Sequence, residues 1–150
     1  MMNLNCPITQ VAPLLPHSGK MVLLDLIKDF GENFLIAETT IKTDNILIQN
    51  GKLSTFSGIE IMAQGVAAWA GCMAVQANEP VRLGYLLGTR KLHIHQDEIA
   101  IGSHLQIKIK MSIQDATGFG VFDCQMIDIT TQNVILEGAL NVFSPKEEKQ

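Results

Sequence analysis

Cysteine is scarce in this sequence, and its spacing argues against two kinds of site. Only Cys6, Cys72 and Cys124 occur, an odd number without a C-x-x-C pair. Zinc sites and disulfide frameworks need clustered or paired cysteines, so neither is indicated. Cys72 falls within an apolar run, where a free thiol packs as a small hydrophobe. The cysteines therefore favour a reduced, cytoplasmic compartment.

Positive charge is also scarce. The 150 residues include 11 Lys and Arg against 15 Asp and Glu, and the net charge is -4. No cluster of basic residues alternates with aromatic ones, so a nucleic-acid-binding surface is not indicated. The first ten residues lack a basic region followed by an apolar run, which argues against a secretory signal. With 47% hydrophobic and 17% charged residues, residues 1–150 are predicted to form one globular domain with a solvated tail at 145–150.

Charge is absent altogether between Glu60 and Glu79. Residues 57–76 (SGIEIMAQGVAAWAGCMAVQ) are predicted to form a helix that is apolar on nearly every side, which must be enclosed by protein. A membrane span is the alternative, but the stretch is rich in Ala and Gly and contains Gln64 and Gln76. A buried helix of a protein without membrane contact is therefore expected.

Glu60 and Gln64 are the two polar residues in the first turns of this helix. Their spacing of four places them on one helix face near the N-terminus, where negative charge is favoured. Such a pair is suited to polarising a carbonyl group. The alternative is a capping box formed by Ser57 and Glu60, in which the carboxylate only accepts a backbone N–H. From this segment alone, the capping box is the favoured interpretation.

Segments with the two-residue period of strands lie on both sides of the helix. Residues 21–29 and 34–41 precede it, and residues 82–97, 104–114, 118–130 and 134–143 follow it. Around Lys108 and Lys110, apolar and polar residues alternate as in a sheet that faces solvent on one side. This order predicts an α+β fold of the hot-dog type, a long central helix wrapped by a curled antiparallel sheet. Other α+β folds with one helix on a sheet fit the same order.

Short motifs along the chain resemble those of one enzyme family. They are LPH at 15–17, MVLLD at 21–25, GIEIMAQ at 58–64, AAWAG at 67–71, LLGTRK at 86–91, GFGVFDC at 118–124 and LNVF at 140–143. In this order they resemble the hot-dog 3-hydroxyacyl-acyl-carrier-protein dehydratases of fatty acid synthesis. The closer resemblance is to the dehydratases encoded with aryl-polyene and similar polyketide-type pathways. The motifs extend over nearly the whole chain.

The resemblance implies an assembly, a substrate and a set of catalytic residues. It implies a homodimer, or a heteromer with another hot-dog subunit, and an acyl chain delivered by acyl carrier protein on phosphopantetheine, without a further cofactor or a metal. Dehydration needs a base, an acid and donors to the thioester oxygen. Glu60, with its pKa raised by the apolar helix, would protonate the leaving hydroxyl. Gln64 would orient Glu60, and backbone N–H groups near Ser57 and Gly58 would bind the thioester.

One catalytic residue of the family is not at its usual position. The fatty acid enzymes carry a histidine fourteen residues before the helix carboxylate, and this count reaches Ile46 here. No histidine lies between Ile41 and Ile59. His17 is then the best replacement, because it belongs to the shared LPH motif. The alternative is a histidine that hydrogen-bonds its own loop after Pro16.

Two other groups of residues have weaker functional interpretations. His93, His95 and Asp97 alternate on one strand face as metal ligands can, but a solvent-facing strand accounts for them better. Arg90 and Lys91, together with Arg82, are candidates for contact with the pantetheine phosphate or the carrier protein, although most such charges are simply solvated.

The fold and motifs leave three functions open. The chain is expected to be a dehydratase. It would otherwise be a catalytically degenerate hot-dog subunit that stabilises an active partner, or a thioesterase that uses the carboxylate to activate water.

Overall fold

The computed structural model describes residues 4–145, so the predicted tail lies outside the described residues except for Pro145. The described residues form one α-helix and eight strands. They are β1 Leu26–Phe30, β2 Phe34–Thr40, β3 Leu53–Ser54, α1 Gly58–Gln76, β4 Tyr85–Ile94, β5 Glu98–Ile99, β6 His104–Gln114, β7 Phe119–Asp128 and β8 Val134–Phe143. Short 3-10 turns at Ala12–Leu14, Gly19–Met21 and Thr55–Ser57 complete the set. The predicted helix and long strands are confirmed, with shifts of a few residues at their ends.

Six strands form one antiparallel sheet in the order β1-β2-β6-β7-β8-β4, and β3 pairs with β5 in a small separate sheet. The two-residue period of β2 buries Leu35, Ala37 and Thr39 on the inner face, opposite Ile107 and Ile109 of β6. Helix α1 packs against this inner face, chiefly on β2, β6 and β7. The hot-dog arrangement is confirmed.

Helix α1 lies close to its neighbours because glycines occur at two contact points. A Cβ at Gly65 would lie 2.9 Å from Cγ1 of Ile109, and a Cβ at Gly71 would lie 1.9 Å from the carbonyl oxygen of Leu14. The Trp69 indole N–H donates to the Gly31 carbonyl at 3.0 Å. The segment Thr55–Gln76 is long and apolar enough to span a membrane, but 61% of its apolar window is buried inside the protein. It is the core helix that the sequence predicts.

Strand β4 forms one edge of the large sheet. Within the described part of the chain it pairs only with β8, and its outer edge has no partner. Its apolar side chains are exposed, Tyr85 by 51% and Leu87 by 60%. A long apolar edge strand is a template for pairing with another chain.

The three cysteines are free thiols in different environments. Cys6 is exposed, whereas Cys72 and Cys124 are buried among core residues. Burial raises the pKa of Cys72 to about 12 and also raises the pKa of Cys124. Both buried thiols therefore act as packing groups, since the thiolate is the reactive form.

Candidate functional site

His17, Glu60 and Gln64 line the same cleft, which has a volume of about 140 Å³. His17 comes from the segment that precedes β1, whereas Glu60 and Gln64 come from the first two turns of α1. The cleft floor is formed by small side chains of the same helix face, including Ala63 and Ala67. Two titratable groups separated by 43 positions in the chain are thus brought to one concave site.

The Glu60 side chain is exposed in the single chain, so the expectation of a buried carboxyl is wrong. The face of α1 that packs on β2, β6 and β7 is buried, whereas the face that carries Glu60, Ala63 and Ala67 is only partly covered. The favoured capping box is also wrong, because Ser57 makes no side-chain capping bond. Among the described residues, Glu60 has no hydrogen-bond or ion-pair partner, so its carboxylate is available to a ligand in the cleft.

His17 is half-buried, and its Nδ1 atom is buried without a hydrogen-bond partner among the described residues. The structure therefore does not show the alternative arrangement, in which the His17 imidazole hydrogen-bonds its own loop. Burying an unpaired polar atom costs about 1–3 kcal/mol, and such atoms are uncommon in folded proteins. The His17 residue lines the cleft, and an imidazole that reaches a ligand there is suited to accepting its proton.

Gln64 contacts the backbone of the preceding segment and not Glu60. Its Oε1 accepts from the Leu23 N–H at 2.8 Å, and its Nε2 donates to the Met21 carbonyl at 2.5 Å. The side chain is only 5% exposed. The amide uses its oxygen and one N–H on the backbone and makes no bond to Glu60, so the expected role of Gln64 in orienting Glu60 or binding the thioester stays a prediction.

Ser57 and Gly58 do not line the cleft with Glu60. The 3-10 turn Thr55–Ser57 runs directly into α1, so the Gly58 N–H already donates to the Thr55 carbonyl. Gly58 itself is buried against Met126, whose Cε would lie 3.0 Å from an added Cβ. The predicted role of these two residues in thioester binding is therefore not supported by their positions, and it stays a prediction.

Arg82 is the cation that borders the cleft. Its guanidinium pairs with Glu79 at 3.2 Å, and the side chain is 26% exposed. Arg90 and Lys91 are exposed on β4 and lie outside the cleft, and Lys91 lines a separate groove on the outer sheet face. Arg82 lies two residues after Pro80, and the Asn78-Glu79-Pro80 break signals that the chain turns back after α1.

The remaining histidines lie on the sheet. The rings of His93 and His95 stack with centroids 6.2 Å apart, and His95 Nε2 lies 2.7 Å from a Glu137 carboxylate oxygen. His104 pairs with Thr40 and Glu38. Within residues 4–145, no group of three or more His, Cys, Asp or Glu side chains is placed to hold a metal ion.

Comparison with known proteins shows that the region that carries the candidate site is similar to dehydratases. A family model described as ApeP-like, ApeP dehydratase, matches residues 9–150. The chain is 30% identical to a chain of the dehydratase heterocomplex ApeI:P from Xenorhabdus doucetiae. The match covers 91% of each chain with a TM-score of 0.82. No curated protein matches the sequence.

More distant structures share the fold alone. A hypothetical thioesterase with coenzyme A from Streptococcus pneumoniae TIGR4 is 12% identical, with 82% of this chain and 87% of that chain covered and a TM-score of 0.61. The PaaI protein of the E. coli phenylacetic acid degradation operon is 10% identical, with 78% and 80% covered and a TM-score of 0.56.

Because the cap is absent, Ser57→Ala and Glu60→Gln should each change the free energy of unfolding by less than about 0.5 kcal/mol. Thr39→Val is the positive control, because it removes the buried hydrogen bond from Thr39 Oγ1 to the Leu23 carbonyl and should cost about 1 kcal/mol. Urea unfolding followed by circular dichroism measures all three. Losses near 1 kcal/mol at both Ser57 and Glu60 would mean that the capping box forms in solution.

Proposed function

The chain belongs to the ApeP-like dehydratase family, and on this premise we propose that it removes water from 3-hydroxyacyl thioesters carried on acyl carrier protein. The pathway is proposed to be aryl-polyene or a related fatty acid or polyketide-type synthesis, in the cytoplasm. The observation that carries the proposal is that the free carboxylate of Glu60 and the unpaired imidazole of His17 share one cleft.

The two side chains supply the acid and the base of the elimination. His17 accepts the proton from the carbon next to the thioester, and the electron pair left there forms the new double bond. The carbon–oxygen bond at C3 breaks, and protonated Glu60 gives its proton to the departing hydroxyl, which leaves as water. The products are a 2-enoyl thioester, an imidazolium and a carboxylate. Solvent then returns both residues to their starting protonation states.

Assembly along β4 is proposed to complete this site. Leu86 of β4 lines the same cleft as Glu60, so a subunit paired with β4 lies beside the cleft opening. Covering the opening removes water from Glu60, and loss of water favours the protonated form that the reaction requires. The partner is proposed to be a second copy or another hot-dog subunit, and the similar Xenorhabdus chain occurs in a heterocomplex.

Arg82 is proposed to bind the phosphate of the substrate's phosphopantetheine. Its side chain is about three-quarters covered and borders the cleft, and the guanidinium, although paired with Glu79 at 3.2 Å, keeps further N–H donors for an anionic ligand. Arg90 and Lys91 are more exposed and lie on the edge strand. They are proposed to attract the acidic carrier protein before the substrate arm enters the cleft.

A non-catalytic subunit is the second candidate function, favoured by the position of Ile46. This residue stands where the fatty acid enzymes carry histidine, is exposed in a loop, and does not line the cleft. If His17 does not act as the base, the chain would serve to stabilise an active hot-dog partner. Only the shared fold supports the thioesterase alternative.

Glu60→Gln and His17→Ala should each lower dehydration at least about 100-fold, because each removes one proton-transfer group. His104→Ala is the matched control, since that imidazole lies on the sheet with Glu38 and Thr40. Mass spectrometry of enoyl product formed from a 3-hydroxyacyl carrier substrate provides the measurement.

The same assay separates the alternatives. An inert chain that raises the activity of a paired dehydratase equally with or without His17 would establish the non-catalytic role. Release of free carrier thiol without enoyl product would establish a thioesterase.

Replacing both Arg90 and Lys91 with Ala should weaken carrier-protein binding about fivefold at low salt and much less at high salt, because exposed charges are screened. Lys28→Ala on β1, at the far edge of the sheet, is the control. Titration by fluorescence anisotropy at two salt concentrations measures the effect. Unchanged affinity at low salt would exclude these two residues as carrier contacts.

Leu87→Lys should dissociate the assembly, because it places a charge on the apolar edge of β4. Ile101→Lys, a similar change in an exposed turn away from β4, should leave the assembly intact. Light scattering after size-exclusion chromatography measures the mass, and the dehydration assay on the same fractions measures activity. An unchanged mass for Leu87→Lys would place the interface elsewhere.

A further inference from the structure

Gln64 has a structural connection to His17 that the sequence does not predict. We infer that Gln64 is a positioning residue, which holds His17 in the cleft through the backbone of Met21 and Leu23. The inference deepens the proposed function and rests on it, because it concerns the residue that accepts the substrate proton.

The Gln64 amide joins α1 to the segment that carries His17. It accepts the Leu23 N–H and donates to the Met21 carbonyl, at 2.8 and 2.5 Å. These bonds lie where water has little access, since the side chain is 5% exposed. A primary amide carries a donor and an acceptor on one planar group, so it satisfies both backbone groups at once. An apolar side chain at this position would leave both groups unpaired.

Two other contacts fix the same segment. The Thr39 hydroxyl donates to the Leu23 carbonyl at 2.6 Å, which ties the segment to β2. At the other end, the Leu14 carbonyl contacts α1 at the point where Gly71 leaves room for it. His17 lies three residues after Leu14 and four before Met21. The segment is therefore anchored to the helix on both sides of the imidazole.

The position of the imidazole depends on these anchors. No described residue hydrogen-bonds the His17 ring, so nothing orients it apart from packing and the path of its backbone. Gln64 and Glu60 are one turn apart on the same helix. An anchor at Gln64 therefore fixes the position of the His17 imidazole relative to the Glu60 carboxylate. A displacement of about 1 Å between groups that must act together lowers a rate on the order of 100-fold.

A double-mutant cycle on the full assembled enzyme tests the inference. Gln64→Leu should lower kcat at least about tenfold and change KM less than about threefold. In the His17→Ala background, the same substitution should lower kcat by less than about twofold. Gln76→Leu is the matched control, because it makes the same change at the exposed end of α1 and should not alter kcat. Equal losses in both backgrounds would overturn the inference.

Hydrogen exchange of residues 17–23 gives a readout that does not require activity. Gln64→Leu should accelerate exchange there about tenfold or more, since it opens the anchor locally, whereas Gln76→Leu should not. If Gln64→Leu does not fold, Thr39→Val weakens the same anchor from β2 and should act in the same direction. Exchange at the wild-type rate would overturn the inference. Faster exchange in a chain that never dehydrates substrate would support the anchor and refute the proposed function.

Discussion

The bridge between the Gln64 amide and the backbone of Met21 and Leu23 is the interaction on which the candidate site depends. Within residues 4–145, these two bonds are the hydrogen bonds that join α1 to the Met21–Leu23 end of the segment bearing His17. The bridge is effective because it is buried. A hydrogen bond is stronger in the interior, where water does not compete for its donor and acceptor. The position of the segment that bears His17 is thus a product of core packing, whereas the Glu60 carboxylate is supplied by an exposed residue.

Much of the architecture was predictable from the sequence, for a physical reason. The two-residue period of β6 and β7 and the uncharged stretch of α1 are local signals, and each reports which residues avoid water. The order of these elements then leaves few ways to bury a long apolar helix, and a curled antiparallel sheet is one of them. Two residues that line the cleft, Glu60 and His17, were selected from the sequence by the family resemblance, and their catalytic roles stay predictions.

The errors concern properties that the sequence does not encode locally. The apolar character of α1 predicted a buried Glu60, but hydropathy along the chain does not say which face the sheet leaves open. Gln64 lies 41 residues from Leu23, so its role depends on a tertiary contact that no short motif records. From the sequence, Arg82 was considered only together with Arg90 and Lys91. Its position beside the cleft depends on how the chain returns after α1, which is a property of the folded state. Ser57 matched a capping pattern, but the preceding 3-10 turn already satisfies the backbone there.

The edge strand β4 also affects how readily the newly synthesised chain associates wrongly with other chains. Its ten residues present unpaired backbone groups flanked by apolar side chains, which is the kind of surface that promotes misassociation. The strand is irregular in two places, between Leu86 and Gly88 and between Arg90 and His93, and Lys91 has a left-handed backbone with φ of 51°. Such kinks limit the neighbours that can pair with an edge strand, so if a subunit pairs along β4 as proposed, the strand selects it by shape and discourages stacking into fibrils.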